Sequence, residues 1–84
     1  MTRSLRHFCL IALGLALAAG LLGLVASMVL RCNDCIDYHI IQCVEAGWSD
    51  EELYDAFNVA LIVGGSIVIP HLRRAVALLD ELSA

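Results

Sequence analysis

The feature that most constrains the fold is a run of 23 consecutive uncharged residues near the amino terminus, from Phe8 to Leu30. As an α-helix, which rises about 1.5 Å per residue, this run would be about 35 Å long and could cross a hydrocarbon layer about 30 Å thick. It follows a basic start that holds Arg3 and Arg6, an order that is also typical of a secretory signal peptide. A helix that packs inside an oligomer is the remaining alternative. The run therefore predicts a long apolar helix and leaves its surroundings open.

The whole chain is short and unusually apolar. It has 84 residues, of which 61% are hydrophobic and 17% are charged. Ordinary soluble domains are about 45–50% apolar, and domains below about 70–80 residues seldom bury enough surface to be stable alone. We therefore expect one small domain that covers its excess apolar surface with another copy, another protein or lipid.

Charge is distributed unevenly along the chain. The region from Arg31 onward contains three arginines and nine carboxylates, a formal charge of −6, and the chain has no lysine. Proteins that bind nucleic acids need clustered cations to neutralise the phosphates. We therefore expect no nucleic acid among the partners.

The region after the apolar run has the periodicity and the end signals of three short helices. Gly47 follows the first as a C-terminal cap residue, and a Ser-Asp-Glu-Glu capping box at 49–52 opens the second. Gly64-Gly65 interrupts the second helix, and Pro70 lies in the first turn of the third, where we interpret His71 as an ordinary residue. No strand-like alternation occurs, so the predicted fold class is all-α. The predicted helices cover 34–46, 50–63 and 68–82.

A C-x-x-C motif lies at the start of the first short helix, and a histidine follows one turn later. Cys35 and His39 are four residues apart and share a helix face, and Cys32 lies one turn earlier. Two cysteines at this spacing can reach the Cα separation of about 4.4–6.8 Å that a disulfide requires. A helix amino terminus and a nearby imidazole both favour the thiolate, which is the reactive form. The motif therefore predicts a reversible dithiol with a built-in base.

The same residues have other interpretations. Cys32, Cys35 and His39 could be three zinc ligands, but Cys43 would lie about 16 Å from Cys32 along the helix axis, too far to be the fourth. A haem attachment motif would need histidine at Ile36. The two thiols could also be inert core residues, or a structural disulfide in a non-catalytic helical assembly module. We expect neither a metal nor a cofactor, and we interpret Cys43 as a core residue.

Several landmarks together carry a resemblance to a known family. They are the C-x-x-C-x-x-x-H motif at 32–39, the Glu-Ala-Gly turn at 45–47, the cap at 49–52 and the apolar helix end at 60–65. With them, the stretch from about Gly20 to Leu82 resembles the core of the alkylhydroperoxidase AhpD-like, carboxymuconolactone decarboxylase family. The resemblance implies a helical bundle that assembles as a homotrimer or homohexamer. It also implies an antioxidant thiol-disulfide oxidoreductase, a peroxiredoxin-type alkylhydroperoxidase that reduces hydroperoxides.

The resemblance further implies a role for each residue of the motif. The decarboxylase branch of the family lacks the cysteine pair, so the pair places this chain with the redox branch. Cys35 corresponds to the thiol that attacks the peroxide, Cys32 to the thiol that resolves the sulfenic acid into a disulfide, and His39 to a member of a proton relay. The reductant for the next cycle would be a dithiol protein or a lipoyl-type donor.

The amino-terminal segment departs from the family pattern. Redox members carry a glutamate that completes the relay, and the register of the resemblance places that position at Gly20. We therefore expect an atypical apolar leader over 1–19, which is a signal, an anchor or a start that is not the ancestral one. An AhpD-like redox domain over 20–84 follows it. The expected location is the cytoplasm, and membrane anchoring or export through residues 8–30 is the alternative.

Overall fold

The part of the chain that the structure describes folds into four α-helices joined by short turns. The computed structural model describes residues 2–83 and, within them, all side chains except those of residues 13–18. All regular secondary structure in these residues is helical, which confirms the predicted all-α class. The elements are α1 (Arg3–Val29), α2 (Asn33–Glu45), α3 (Asp50–Gly64), one 3-10 turn (Ser66–Val68) and α4 (Ile69–Ser83).

The core lies where the second half of α1 meets α2 and α3, and α4 closes it by packing mainly against α2. Leu24 and Met28 of α1 are fully buried. Buried positions recur every three or four residues in each helix, so each helix presents one apolar stripe to a common centre. The other core residues are Ile36, Ile40, Cys43, Leu53, Ala56, Phe57, Ala60, Val68, Ala75 and Leu79.

The described side chains in the first half of α1 lie outside the core. All the side chains of residues 3–12 are exposed, and the large apolar ones show half or more of their surface. Over the described residues, none of the helices combines the length and the hydropathy that a membrane span requires. The span predicted over 8–30 is therefore not found there. Helix α1 is continuous through residue 19, and the division of the chain into a leader and a redox domain stays a prediction.

The turn between α2 and α3 has both of the predicted end signals. Gly47 has a φ of 92°, and the Trp48 amide donates to the Cys43 carbonyl at 3.1 Å, which is the long hydrogen bond of a Schellman motif. The Glu52 amide donates to the Ser49 hydroxyl at 3.2 Å, and the Ser49 amide donates to the Glu52 carboxylate at 3.1 Å. This reciprocal pair is a capping box. The helix boundary predicted at residues 46–50 is confirmed.

Helix α3 ends at the predicted glycine pair. Gly65 has a φ of 80°, a left-handed conformation that most other residues avoid. Gly64 packs against the Val68 side chain so closely that a Cβ atom would have no room. The 3-10 turn then leads into α4, in which Pro70 occupies the first turn, where its missing amide costs little.

Candidate dithiol site

The turn between α1 and α2 fixes the position of the first cysteine. Arg31 has a φ of 61°, the left-handed conformation that glycine usually takes at a helix end. The Arg31 amide donates to the Met28 carbonyl at 3.1 Å, and the Cys32 amide donates to the Ser27 carbonyl at 3.0 Å. These two bonds form a Schellman motif. Cys32 is therefore held by the end of α1 while it also serves as the N-cap residue of α2.

Cys32 and Cys35 face each other across the first turn of α2. Their Sγ atoms are 2.9 Å apart and share a hydrogen bond, and both cysteines are free thiols. Cys32 is half-buried, whereas Cys35 is exposed. A disulfide has an S–S distance of about 2.05 Å, so the sulfurs need to approach by less than about 1 Å to form one. The structure therefore brings the two predicted thiols together.

The hydrogen bond between the thiols separates their pKa values. In the neutral pair the Cys32 thiol donates to the Cys35 sulfur. Once Cys32 is ionised, the Cys35 thiol can donate to it instead, which lowers the pKa of Cys32, and the backbone amides of Cys35 and Asp34 lower it further. Desolvation and the Asp34 carboxylate act against this change. The same hydrogen bond raises the pKa of Cys35, and desolvation and nearby negative charge add to the increase. The hydrogen bond therefore favours the thiolate at Cys32, although Cys35 is the more exposed residue.

His39 lies one turn after Cys35 but packs toward α1. Its ring covers Gly23, where an added Cβ atom would come within 2.5 Å of the ring carbon Cε1. The Tyr38 ring meets it edge to face, with 5.2 Å between the ring centroids. Within the described residues, no hydrogen bond joins His39 to Cys32 or Cys35. His39 therefore follows the two thiols along α2 but is not hydrogen-bonded to either of them.

His39 also forms one wall of a pocket of about 260 Å³ between α1 and α2. Gly20 lines the same pocket, and a Cβ atom added there would meet the Cys43 sulfur at 3.3 Å. Cys43 is a buried core residue, as predicted, and burial raises the pKa of its thiol. The pocket therefore provides space beside the imidazole for a longer side chain at position 20. Its other lining residues are Ala19, Tyr38, Gln42, Ala46 and Trp48.

His71 reaches the C-x-x-C motif from α4, although its sequence context suggests no role. Its Nδ1 atom lies 2.8 Å from the Oδ1 atom of Asn33, which is the residue between Cys32 and Asp34. The two side chains are 38 positions apart in the sequence, so no local motif could reveal the contact. The packing of α4 against α2 brings them together.

The region that the structure describes contains no set of side chains that could bind a metal ion. No group of three or more histidine, cysteine or acidic side chains that could hold a metal ion occurs there. Cys32 and Cys35 are adjacent, but the ring of His39 lies on Gly23. The geometry of the described site therefore offers a thiol pair rather than a metal-binding cluster.

The fold and the site together define a class of all-helical proteins that carry a dithiol at a helix amino terminus. The chain matches the carboxymuconolactone decarboxylase family over residues 20–78, and it belongs to that family. This finding confirms the family that the motif predicts, and the match begins at the predicted residue. The match also contains both cysteines and His39.

Solved structures give the same result. A carboxymuconolactone decarboxylase family protein from Thermotoga maritima, suggested to be involved in antioxidative response, is 49% identical with a TM-score of 0.79. That match covers 99% of this chain and 93% of the other. Another crystal structure from Thermotoga maritima also has 49% identity and a TM-score of 0.79, and it covers 98% of this chain and 78% of the other. No curated protein matches the chain.

Proposed function

We propose that the chain is an antioxidant thiol-disulfide oxidoreductase that reduces hydroperoxides through the Cys32–Cys35 dithiol. The observation that carries this proposal is the 2.9 Å separation of two free sulfurs at the start of α2, where Cys35 is open to solvent. The suggested antioxidative role of the Thermotoga maritima relative supports the same chemistry.

The proposed cycle has three balanced steps. The Cys35 thiolate attacks the terminal oxygen of a hydroperoxide, the O–O bond breaks, and the alkoxide takes up a proton to leave as an alcohol. The Cys32 thiolate then attacks the sulfur of the resulting sulfenic acid, the S–O bond breaks as the disulfide forms, and the hydroxide takes up a proton to leave as water. A separate dithiol, either a protein or a lipoyl-type donor, returns two electrons and two protons by thiol-disulfide exchange.

Proton transfer is the step of this cycle that the arrangement of the side chains supports least. His39 is the proposed base, but no hydrogen bond connects it to either thiol within the described residues. A bridging water or a rotation of the imidazole away from Gly23 is therefore part of the proposal, because general bases act within hydrogen-bond reach or through one water. Gly20 supplies no carboxylate to assist, so we propose a slow peroxidase.

The order of the two cysteines follows the family resemblance, whereas their pKa values favour the opposite order. Exposure favours Cys35 as the sulfur that a peroxide reaches, and a lowered pKa favours Cys32 as the thiolate. Separate serine variants resolve this. With tert-butyl hydroperoxide, we expect the wild-type dithiol to lose two hydrogens per chain, and we expect Cys32→Ser to stop at a sulfenic acid on Cys35 that dimedone traps.

The outcomes of this titration are distinct. If Cys35→Ser consumes the peroxide as fast as the wild type and forms a sulfenic acid on Cys32, the function stands and the two roles are exchanged. If neither the wild type nor either variant reacts faster than free cysteine, the peroxidase function is wrong. Reduction of the disulfide by dihydrolipoamide then tests the proposed class of electron donor.

The glycine at position 20 allows a gain-of-function test. A glutamate there would extend into the pocket beside His39, and general acid-base assistance typically contributes about 10²–10⁴-fold to a rate. We expect Gly20→Glu to consume peroxide at least about 10-fold faster than the wild type, whereas Gly20→Gln, which has the same size without the charge, should not. Because the new Cβ atom meets Cys43, the variant is also made together with Cys43→Ala.

We propose in addition that the chain works as a homotrimer or homohexamer. Apolar side chains on the outside of α1 and α3, among them Leu22, Ile62 and Val63, are between 65% and 83% exposed in the single chain. Apolar surface of this kind is usually covered by a partner. Light scattering on the eluting protein should give three or six chain masses, and a monomer would contradict the proposal. A reducing cytoplasm is the proposed location, because a cycling dithiol needs a supply of electrons.

A further inference from the structure

The contact between His71 and Asn33 ties α4 to the segment that carries the dithiol. The Nδ1 atom of His71 lies 2.8 Å from the Oδ1 atom of Asn33, and both side chains are half-buried. An amide oxygen can only accept a hydrogen bond, so the contact assigns a proton to Nδ1 of His71. Asn33 is the first residue of α2 and lies between Cys32 and Asp34. The imidazole therefore donates directly to the loop that a disulfide would close.

The segment between the sulfurs is held at several points in the dithiol form. The Cys32 amide donates to Ser27 of α1 at 3.0 Å, and the Ile36 amide donates to the Cys32 carbonyl at 2.9 Å. The side chain of Asn33 is held by His71. These bonds fix the segment while the sulfurs are 2.9 Å apart, and a disulfide would draw the sulfurs together to about 2.05 Å.

We propose that His71 is a positioning residue that acts through Asn33 to hold the Cys32–Cys35 turn in its dithiol geometry and thereby sets the thiol-disulfide equilibrium of the pair. In this proposal, drawing the sulfurs together from 2.9 Å to about 2.05 Å moves the turn away from the geometry in which Asn33 accepts from His71. The hydrogen bond therefore stabilises the dithiol more than the disulfide. The proposal rests on the proposed function, since it requires that the two cysteines form a disulfide.

The redox step is an exchange with glutathione. Cys32 and Cys35 each give up one electron and one proton as their S–S bond forms, and glutathione disulfide takes both pairs to become two glutathione thiols. A hydrogen bond contributes about 0.5–1.5 kcal/mol net, which corresponds to a change of about 2- to 10-fold in an equilibrium constant. Loss of the donor should therefore shift the equilibrium toward the disulfide by about this factor.

The experiment compares the full-length wild type with His71→Leu, His71→Asn, Asn33→Ala and the double variant His71→Leu/Asn33→Ala. Leucine is similar in size to histidine and has no donor, whereas the asparagine amide places a donor near the position of Nδ1. Each protein is equilibrated with glutathione and glutathione disulfide at several ratios. Acid quenching, alkylation and mass spectrometry then give the fraction of the Cys32–Cys35 disulfide.

We expect His71→Leu and Asn33→Ala to shift the equilibrium toward the disulfide by similar factors, and we expect His71→Asn to stay within about 2-fold of the wild type. The double variant should match Asn33→Ala, because His71 has no partner left through which to act. A purely structural role would destabilise both redox forms equally and leave the equilibrium where it is. Circular dichroism of each variant confirms that the helices are retained.

Three results would overturn the proposal. An unshifted equilibrium in both His71→Leu and Asn33→Ala would show that the contact does not set the redox balance. A further shift on adding His71→Leu to Asn33→Ala would show that His71 does not act through Asn33. A wild-type protein that forms no disulfide in these buffers would refute the dithiol function itself and the positioning role with it, an outcome that is distinct from a cycling wild type with unshifted variants.

Discussion

Helix α1 is exposed in the described part of its first half and contributes to the core in its second half, although the uncharged run from Phe8 to Leu30 extends into both halves. The side chains of residues 3–12 are exposed, whereas Leu24 and Met28 in the second half have no exposed surface. The match to the family also begins at residue 20. Hydrophobicity alone therefore does not decide which half of this helix joins the core.

Small residues at regular spacing account for the burial of the second half. Gly20 and Gly23 lie directly beneath Cys43 and His39, so α2 packs close against α1. The Ser27 hydroxyl, one turn further on, donates to the carbonyls of its own helix at 2.8 and 2.9 Å, which satisfies a buried polar group. The difference between the halves shows that close packing of another helix against α1 depends on the spacing of small residues as well as on apolar content.

The largest effect that we expect comes from one substitution made in each half. Leu24→Ala should lower the free energy of unfolding by about 2–5 kcal/mol, because it leaves a cavity in the core. Leu10→Ala is the matched control and should cost less than about 0.5 kcal/mol, because Leu10 is 62% exposed. Urea unfolding followed by circular dichroism measures both. Equal losses would show that the first half is buried in the protein in solution, as an oligomer or lipid contact would require.

A smaller effect should distinguish the two glycines of the second half. Gly23→Ala would place a Cβ atom within 2.5 Å of the His39 ring and displace it. Overpacking of this kind costs about 1–3 kcal/mol, which exceeds the gain of about 0.5–1 kcal/mol from replacing a helical glycine with alanine. We expect a net loss of about 1–2 kcal/mol in urea unfolding and a change in the His39 ring signals in NMR spectra.

Gly20→Ala is the control for this prediction. Its Cβ atom would lie 3.3 Å from the Cys43 sulfur, a tight contact that a small adjustment relieves. We expect its stability to stay within about 1 kcal/mol of the wild type, with unchanged His39 signals. If Gly20→Ala is the more damaging of the two, His39 does not pack on Gly23 in solution.

The sequence was a good guide wherever the structure depends on local chemistry. The capping box at Ser49, the glycine at position 47 and the interruption at Gly64-Gly65 each follow from backbone requirements that adjacent residues reveal. The closeness of Cys32 and Cys35 follows in the same way from their spacing in the first turn of a helix.

Contacts between helices could not be predicted in this way. The spacing of Cys35 and His39 places both on one face of α2 but does not reveal that the imidazole turns toward Gly23. The His71–Asn33 hydrogen bond depends on how α4 packs against α2, and no pattern in the sequence encodes that distance. The left-handed Arg31 was also unexpected, because glycine is the usual residue there.

That arginine leads to a smaller, stabilising prediction at the end of the buried half of α1. A left-handed conformation costs an L-residue about 1–2 kcal/mol, and glycine avoids this cost but loses more conformational entropy on folding. Arg31→Gly should therefore raise the free energy of unfolding by about 0.5–1 kcal/mol. Arg31→Ala keeps the conformational cost and should give no gain. An equal gain from both variants would assign the effect to the arginine side chain instead of the backbone.

The last prediction concerns the thiols that follow the buried half of α1. It is a change in the pH dependence of Cys32 alkylation, with little effect on the free energy of unfolding. A hydrogen bond from the Cys35 thiol to the Cys32 thiolate lowers the pKa of Cys32, so Cys35→Ala should move the pH midpoint for alkylation of Cys32 upward. The Asp34 carboxylate raises the pKa of Cys32, so adding Asp34→Asn to this variant should move the midpoint down again. Iodoacetamide labelling across a pH series, located by peptide fragmentation, measures both changes. If the alkylation midpoint of Cys32 stays constant or falls in Cys35→Ala, the two thiols do not share the 2.9 Å hydrogen bond in solution. Cys32 and Cys35 would then ionise independently of each other at the end of α1.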